Sequence, residues 1–147
     1  MADTIEKDIF QGIMLRMMAL PLPAGMTLAG NVALPGVTFS PTPTTKYVSF
    51  EIHFNRSIRT DLALQIDPIR QGFIRGNVNW PKGGAQVDAV ELAGVVCKHF
   101  KAGTNFYQDG TQIRFDEDPE MSLLIIGSTH VTVPVTARWL CYPHVPA

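Results

Sequence analysis

Apolar positions recur along this chain with two distinct periods. Val48, Phe50, Ile52 and Phe54 alternate with Tyr47, Ser49, Glu51 and His53, the period-two pattern of a strand with one buried face. A longer alternation closes the chain: Thr129, Val131, Val133, Val135, Ala137 and Trp139 share one face, and His130, Thr132, Thr136 and Arg138 the other. Two further strands are predicted at about Ile69 to Asn79 and at Thr111 to Phe115. In the first of these, Gly72 and Gly76 mark places where neighbouring groups approach the backbone closely. Pro134 has no N–H to give to a ladder, so it predicts an edge position or a bulge.

The helical period appears twice. Ile5, Ile9, Ile13 and Met17 repeat every fourth residue, Phe10 and Met14 widen that face, and Asp3 with Glu6 forms the capping pattern at its start. Pro21 and Pro23 end it. Met14, Met17 and Met18 read as core filler at this spacing in preference to an adaptable binding surface. After Trp80-Pro81-Lys82-Gly83-Gly84, a second helix starts near Ala85, carries Ala89, Leu92, Ala93, Val96 and Phe100 on one stripe, and stops before Gly103.

Between these elements lie an irregular Gly/Pro/Thr-rich arm from Ala24 to Thr45, with room for one short strand, and a projecting loop from Asn55 to Pro68. Asp116 to Glu120 forms an acidic turn. The whole predicts one α+β domain over residues 1–147: two helices packed on one face of a four- or five-stranded mixed or antiparallel sheet. Its core should contain Ile9, Ile13, Phe50, Ile52, Leu92, Val96, Val133 and Trp139.

Composition narrows the function classes. A chain of 147 residues buries enough surface to fold without disulfide or metal. No apolar run approaches the roughly 20 residues of a membrane span. The acidic residues near the N-terminus do not match a secretory signal, which places the chain in a reducing cytoplasm, with Cys97 and Cys141 as free thiols. The Asn55-Arg56-Ser57 glycosylation pattern is then accidental. Twelve basic against thirteen acidic residues leave a net charge of -1, so there is no general attraction to nucleic acid.

No phosphate-cradling glycine loop, dinucleotide fingerprint, zinc-protease motif or nucleophile elbow occurs. His53, His99, His130 and His144 fall on different elements without metal-ligand spacing, so neither metal nor cofactor is expected. The acidic turn lacks the ligand periodicity of a calcium loop and reads as solvated. The loop arginines Arg56 and Arg59 near Asp61 suit either a subunit contact or plain solvation, the former being preferred. On that reading the candidate interface residues are Arg56, Arg59, Asp61, Asp67 and Arg70, with Asp116 and Glu117.

Several stretches in order, over nearly the whole chain, resemble the tail terminator family of long-tailed bacteriophages. They are Thr4-Ile5-Glu6-Lys7-Asp8-Ile9-Phe10, Val37-Thr38-Phe39-Ser40-Pro41, Arg70-Gln71-Gly72, the helix with Ala93 to Phe100, and Val133-Pro134-Val135. The resemblance implies a non-enzymatic virion protein at the head-proximal end of the tail, assembled in the host cytoplasm. It implies a hexameric ring that caps the tail tube, stops tube polymerisation and joins the tail to a head-side connector or stopper, with DNA passing through its lumen. A head–tail adaptor is the neighbouring alternative. A small enzyme using His53 or His130 with Glu51 is the alternative from another class, and it lacks a nucleophile or pocket motif.

Overall fold

The alternating segments pair into one sheet, and the helical stripes close over a single face of it. A computed structural model describes residues 4–58, 68–84, 86–122 and 124–142. In chain order the elements are α1 (Ile5–Met18), α2 (Leu28–Asn31), β1 (Val32–Ala33), β2 (Tyr47–Phe54), β3 (Arg70–Pro81), α3 (Gln86–His99), β4 (Thr104–Gln108), β5 (Thr111–Phe115), β6 (Glu120–Met121), β7 (Ile125–Ile126) and β8 (His130–Cys141). The strand order is β1-β2-β3-β8-β5-β4, with β6 and β7 also paired to β8. Only β1 runs parallel to its neighbour.

The α+β class and the mixed sheet agree with the sequence reading, whereas four or five strands is too few and the arm contains a third, four-residue helix. The reason for the undercount is physical. β1, β6 and β7 are two residues each, too short to express a period. β4 is an edge strand whose Tyr107 is exposed, so its five residues carry little apolar contrast. Asp109-Gly110 supplies the missed signal: both residues have positive φ (50° and 83°), the conformation that a two-residue hairpin demands.

At the centre β3 lies between β2 and β8. Phe50 and Val135 flank Gly76, and Phe54 and Trp139 flank Gly72. A Cβ on Gly76 would stand 2.9 Å from Cε1 of Phe50 and 3.3 Å from Cγ1 of Val96 in α3. A Cβ on Gly72 would meet the His53 carbonyl and the Trp139 indole. The two glycines therefore make the floor on which the largest core side chains and α3 rest.

Every core position expected from the sequence is buried except Ile52, which is half-buried. Along β2 the helix-side residues pass from buried Val48 and Phe50, through Ile52, to exposed Phe54, because the strand runs beyond the helical cover. In α1 the buried face is Asp8, Ile9, Gly12, Ile13 and Met17, with Phe10 partly exposed. The face is thus turned away from the Phe10–Met14 side. Gly12 allows it: a Cβ there would stand 2.8 Å from Cδ1 of Ile113. The cap of α1 is Thr4, whose hydroxyl accepts from the Lys7 N–H at 3.2 Å. Asp3 lies outside the described residues, and Glu6 is drawn instead to Arg70.

Pro134 sits on a central strand, not at the edge. Its carbonyl accepts from the Ser122 N–H at 2.9 Å, so its nitrogen points to the same side, where the ladder is interrupted between β6 and β7. The missing donor falls in that gap. Cys97 and Cys141 are free, and burial raises both thiols above their ordinary range. α1 and α3 are clasped at their C-terminal ends. Arg16 donates Nη2 to the His99 carbonyl at 2.8 Å, and His99 Nε2 donates to the Arg16 carbonyl at 2.6 Å.

Two outcomes follow from this packing. Val96 is 1% exposed, so Val96→Asp buries an unpaired charge and should abolish soluble expression, whereas Val96→Ala should cost about 2 kcal/mol in denaturant unfolding. Burial lowers the His99 pKa from its ordinary 6.5. The unfolded chain then takes up the proton first, so this contribution to stability is full above pH 6.5 and is lost as pH falls through the lowered folded value. Melting temperature should drop as pH falls from 6.5 through the lowered folded value, and His99→Gln, whose amide can keep the hydrogen bond, should flatten the slope. An unchanged slope would assign the effect elsewhere.

Candidate assembly surface

One end of the sheet gathers Arg56, Arg70, Asp116 and Glu117, four of the charges singled out in the sequence. β2 continues past Phe54 as far as the Asn55 N–H, which donates to the Gln71 carbonyl at 2.9 Å. Ile58 and Ile69 then exchange both backbone hydrogen bonds, at 2.8 and 2.7 Å, closing the stem of the loop. Arg56 lies on this stem. Its carbonyl accepts from Gln71 Nε2 at 3.1 Å, and its exposed guanidinium has no partner among the described residues. Arg59, Asp61 and Asp67 lie outside the described residues.

Arg70 opens β3 on the helix side of the sheet. Its Nε donates to Glu6 Oε1 at 2.9 Å, tying the first turn of α1 to the strand, and this bond holds the Glu6 carboxyl below its ordinary pKa. On the adjoining strands Arg114 meets Asp116 at 3.2 Å and lies over the Tyr142 ring at 5.1 Å, while Arg138 meets Glu117 at 3.5 Å. Asp118 accepts from the Ala102 N–H at 3.1 Å. A notch of about 130 Å³ joins the stem residues Asn55 and Gln71 to Asp116, Glu117 and Arg138. Arg56, Arg70, Asp116 and Glu117, scattered in sequence, thus share one end. Of the four arginines described there, three are matched by carboxylates and Arg56 is uncommitted. Phe54, Ile58 and Tyr142 add exposed apolar area, a residue class that sequence alternation assigned to the core (Phe54) or left unassigned (Ile58, Tyr142).

The sheet face away from α1 and α3 is polar. A cleft of about 480 Å³ is lined there by Glu51, Arg75, Asn77, Asn79, Thr132 and Pro134, among others. Thr132 donates to Asn79 Oδ1 at 2.7 Å. His53 and Glu51 pair at 3.0 Å on this face, as alternation allows, and the imidazole stacks on Phe73 with centroids 4.5 Å apart. No hydroxyl or thiol hydrogen-bonds to His53 among the described residues. His130 is occupied elsewhere: Nδ1 bonds the Thr129 hydroxyl at 2.9 Å and Nε2 donates to the Thr45 carbonyl at 2.8 Å. Among the described residues no His/Cys/Asp/Glu group has the arrangement to hold a metal ion.

The opposite end of the sheet carries the arm. The Thr45 carbonyl is fixed by His130 at the start of β8, and Lys46 Nζ sits 4.9 Å above the Trp80 ring near the end of β3. Two different surfaces, loop stem and arm, therefore stand at opposite ends of β3.

A family model described as phage tail terminator protein matches residues 16–139. A solved protein structure, whose designation states no activity, superposes with a TM-score of 0.73 at 18% identity, covering 95% of this chain and 97% of its own. At that identity it speaks for the fold alone. No curated protein matches the sequence at a significant level.

The Arg138–Glu117 pair is more than half exposed on both sides. Glu117→Ala should therefore shift unfolding by no more than about 1 kcal/mol. A larger loss in chemical denaturation would show that this end holds the fold together and is not free for assembly.

Proposed function

The chain belongs to the phage tail terminator family, a family of structural proteins, and on that premise we propose that it forms a ring on the tail tube. The ring, a hexamer by resemblance, caps the completed tube at its head-proximal end, stops further polymerisation and joins the tail to the head-side connector or stopper protein. Assembly takes place in the host cytoplasm. The observation that carries this reading is the placement of two unlike surfaces at opposite ends of one rigid sheet. A subunit with unlike ends repeats the same heterologous contact until a ring closes. A cap must also match the tube end on one side while offering the next tube subunit nothing on the other.

Charge supports the passage of DNA through such a ring. The chain has a net charge of -1, and the arginines Arg70, Arg114 and Arg138 are already matched within the subunit. A near-neutral subunit gives a ring little general hold on a phosphate backbone, since each neutralised phosphate adds to affinity through counterion release. Among the described residues no helix is long and apolar enough to cross a membrane.

A virus lacking only this gene tests the reading. Electron microscopy of lysates should show overlong tubes, because an uncapped end still recruits tube subunits. Free tails of normal, uniform length that fail to join heads would reject termination and support a head–tail adaptor.

A further inference from the structure

Helix α3 separates two apolar surfaces. On one flank it faces the arm across a groove of about 450 Å³, with Leu22 and Met26 on the arm wall, Leu92 and Val95 on the helix wall and Trp80 as the floor. Leu22, Met26 and Val95 are only partly buried against the core, so apolar surface stays open there. Asp88 and Glu91 stand on the rim, and neither has an ion-pair partner among the described residues. On the other flank α3 contacts β6, and the helical period turns Val90 to that side, away from Val95. The edge continues through β7, which pairs with β8 and with no other strand among the described residues. It carries neither charge nor proline, the usual protection of a sheet edge. Its Ile125 and Ile126 are 57% and 70% exposed, and Met121, Leu124 and Val90 are exposed beside them.

From this geometry we infer that the β7 edge of one copy of this chain docks in the groove between the arm and α3 of a second copy. The inference rests on the ring reading and names the contact that would build the ring. Strand order puts the two halves on opposite sides of the subunit: the groove opens toward β2, where Lys46 lines it, and β7 lies beyond β8. Both stand at one level, because Ile126 pairs with Val131 and Val131 with Trp80. One sideways step therefore brings a neighbour's β7 to this groove and this β7 to the next groove. Every copy supplies both halves, which is the heterologous contact that closes rings.

Charge agrees with this occupant. The Lys82 N–H donates to the Thr129 carbonyl at 2.9 Å, which sets Lys82 beside the turn from β7 into β8. This exposed lysine has no ion-pair partner among the described residues. Carried with β7 to the neighbour's groove, it meets the rim carboxylates Asp88 and Glu91, a pairing that fixes register. The apolar side chains of the edge supply the affinity, since docking removes them from water against the equally apolar groove walls. The loop stem, at the far end of β3, stays outside the contact and remains free for other tail proteins.

Light scattering of the full chain over a range of concentrations tests the contact, with melting temperature as the folding control. Wild type should form a defined multimer. Ile126→Asp puts a charge on the docked edge, and Val95→Arg fills the groove with a side chain long enough to carry its charge to solvent. Each should weaken self-association at least about tenfold and leave the monomer folded. If Ile126→Asp lowers the melting temperature, Ile126→Thr, which keeps a branched strand-forming side chain, is read in its place. An equal mixture of the edge and groove variants restores one good contact, the intact β7 of the Val95→Arg chain in the intact groove of the Ile126→Asp chain. It should associate as pairs and grow no further. A variant that assembles like wild type, or a mixture that associates no more than its parts or regains the wild-type mass, overturns the docking and leaves the ring reading standing. Variant rings of normal mass that no longer cap tubes would assign these surfaces to the tube protein and overturn the second-copy occupant. A wild type that is monomeric at all concentrations overturns the ring reading together with the docking.

Discussion

The close approach of large side chains to Gly72 and Gly76 is the contact on which the remaining structure depends. Both glycines lie on β3, the strand between the two longest antiparallel ladders. Because neither has a Cβ, Phe50 can lie across Gly76 and the Trp139 indole across Gly72. Val96 then reaches the same spot from α3, so sheet and helix meet without a gap. Phe100 extends that contact, its ring 6.2 Å from Phe50 and 5.4 Å from Phe115. A side chain at either glycine would lift the aromatic layer and separate α3 from the sheet.

A stiff centre has consequences at the periphery. With β3 and β8 each twelve residues long, the ends of the sheet are far apart and cannot merge into one site. The β2–β3 stem emerges at one end and the arm is fastened at the other through His130 and Lys46. This separation lets one small chain present two different faces to its surroundings. It also explains why residues with enzymatic potential do not converge: His53 and Glu51 lie on the open face, whereas His130 is spent on the Thr45 carbonyl.

Electrostatics follows the same division. Within the subunit, Glu6, Asp116 and Glu117 take up Arg70, Arg114 and Arg138, pairs that are mostly exposed and contribute modestly to stability. Arg56 at one end and Asp88 with Glu91 at the other have no ion-pair partner among the described residues.

Periodicity by itself determined the two long helices, the three long strands β2, β3 and β8, the short strand β5, and nearly all of the core, because burial of one face imprints its period on any element of several turns or residues. It also marked Gly72 and Gly76 as points of close approach. The two-residue strands β1, β6 and β7 were illegible, since pairing to a neighbour creates them and no local pattern records it. The place of Pro134 on a central strand was decided by a gap in the partner ladder at Ser122, and the turn of α1 away from Phe10 was decided by the room Gly12 leaves for Ile113. The charged loop residues could be named from sequence as contact candidates. That Arg56 shares an end with Asp116 and Glu117, that Arg70 is already taken by Glu6, and that an apolar groove lies beneath the proline arm depend on strand order and helix placement, which only long-range packing fixes.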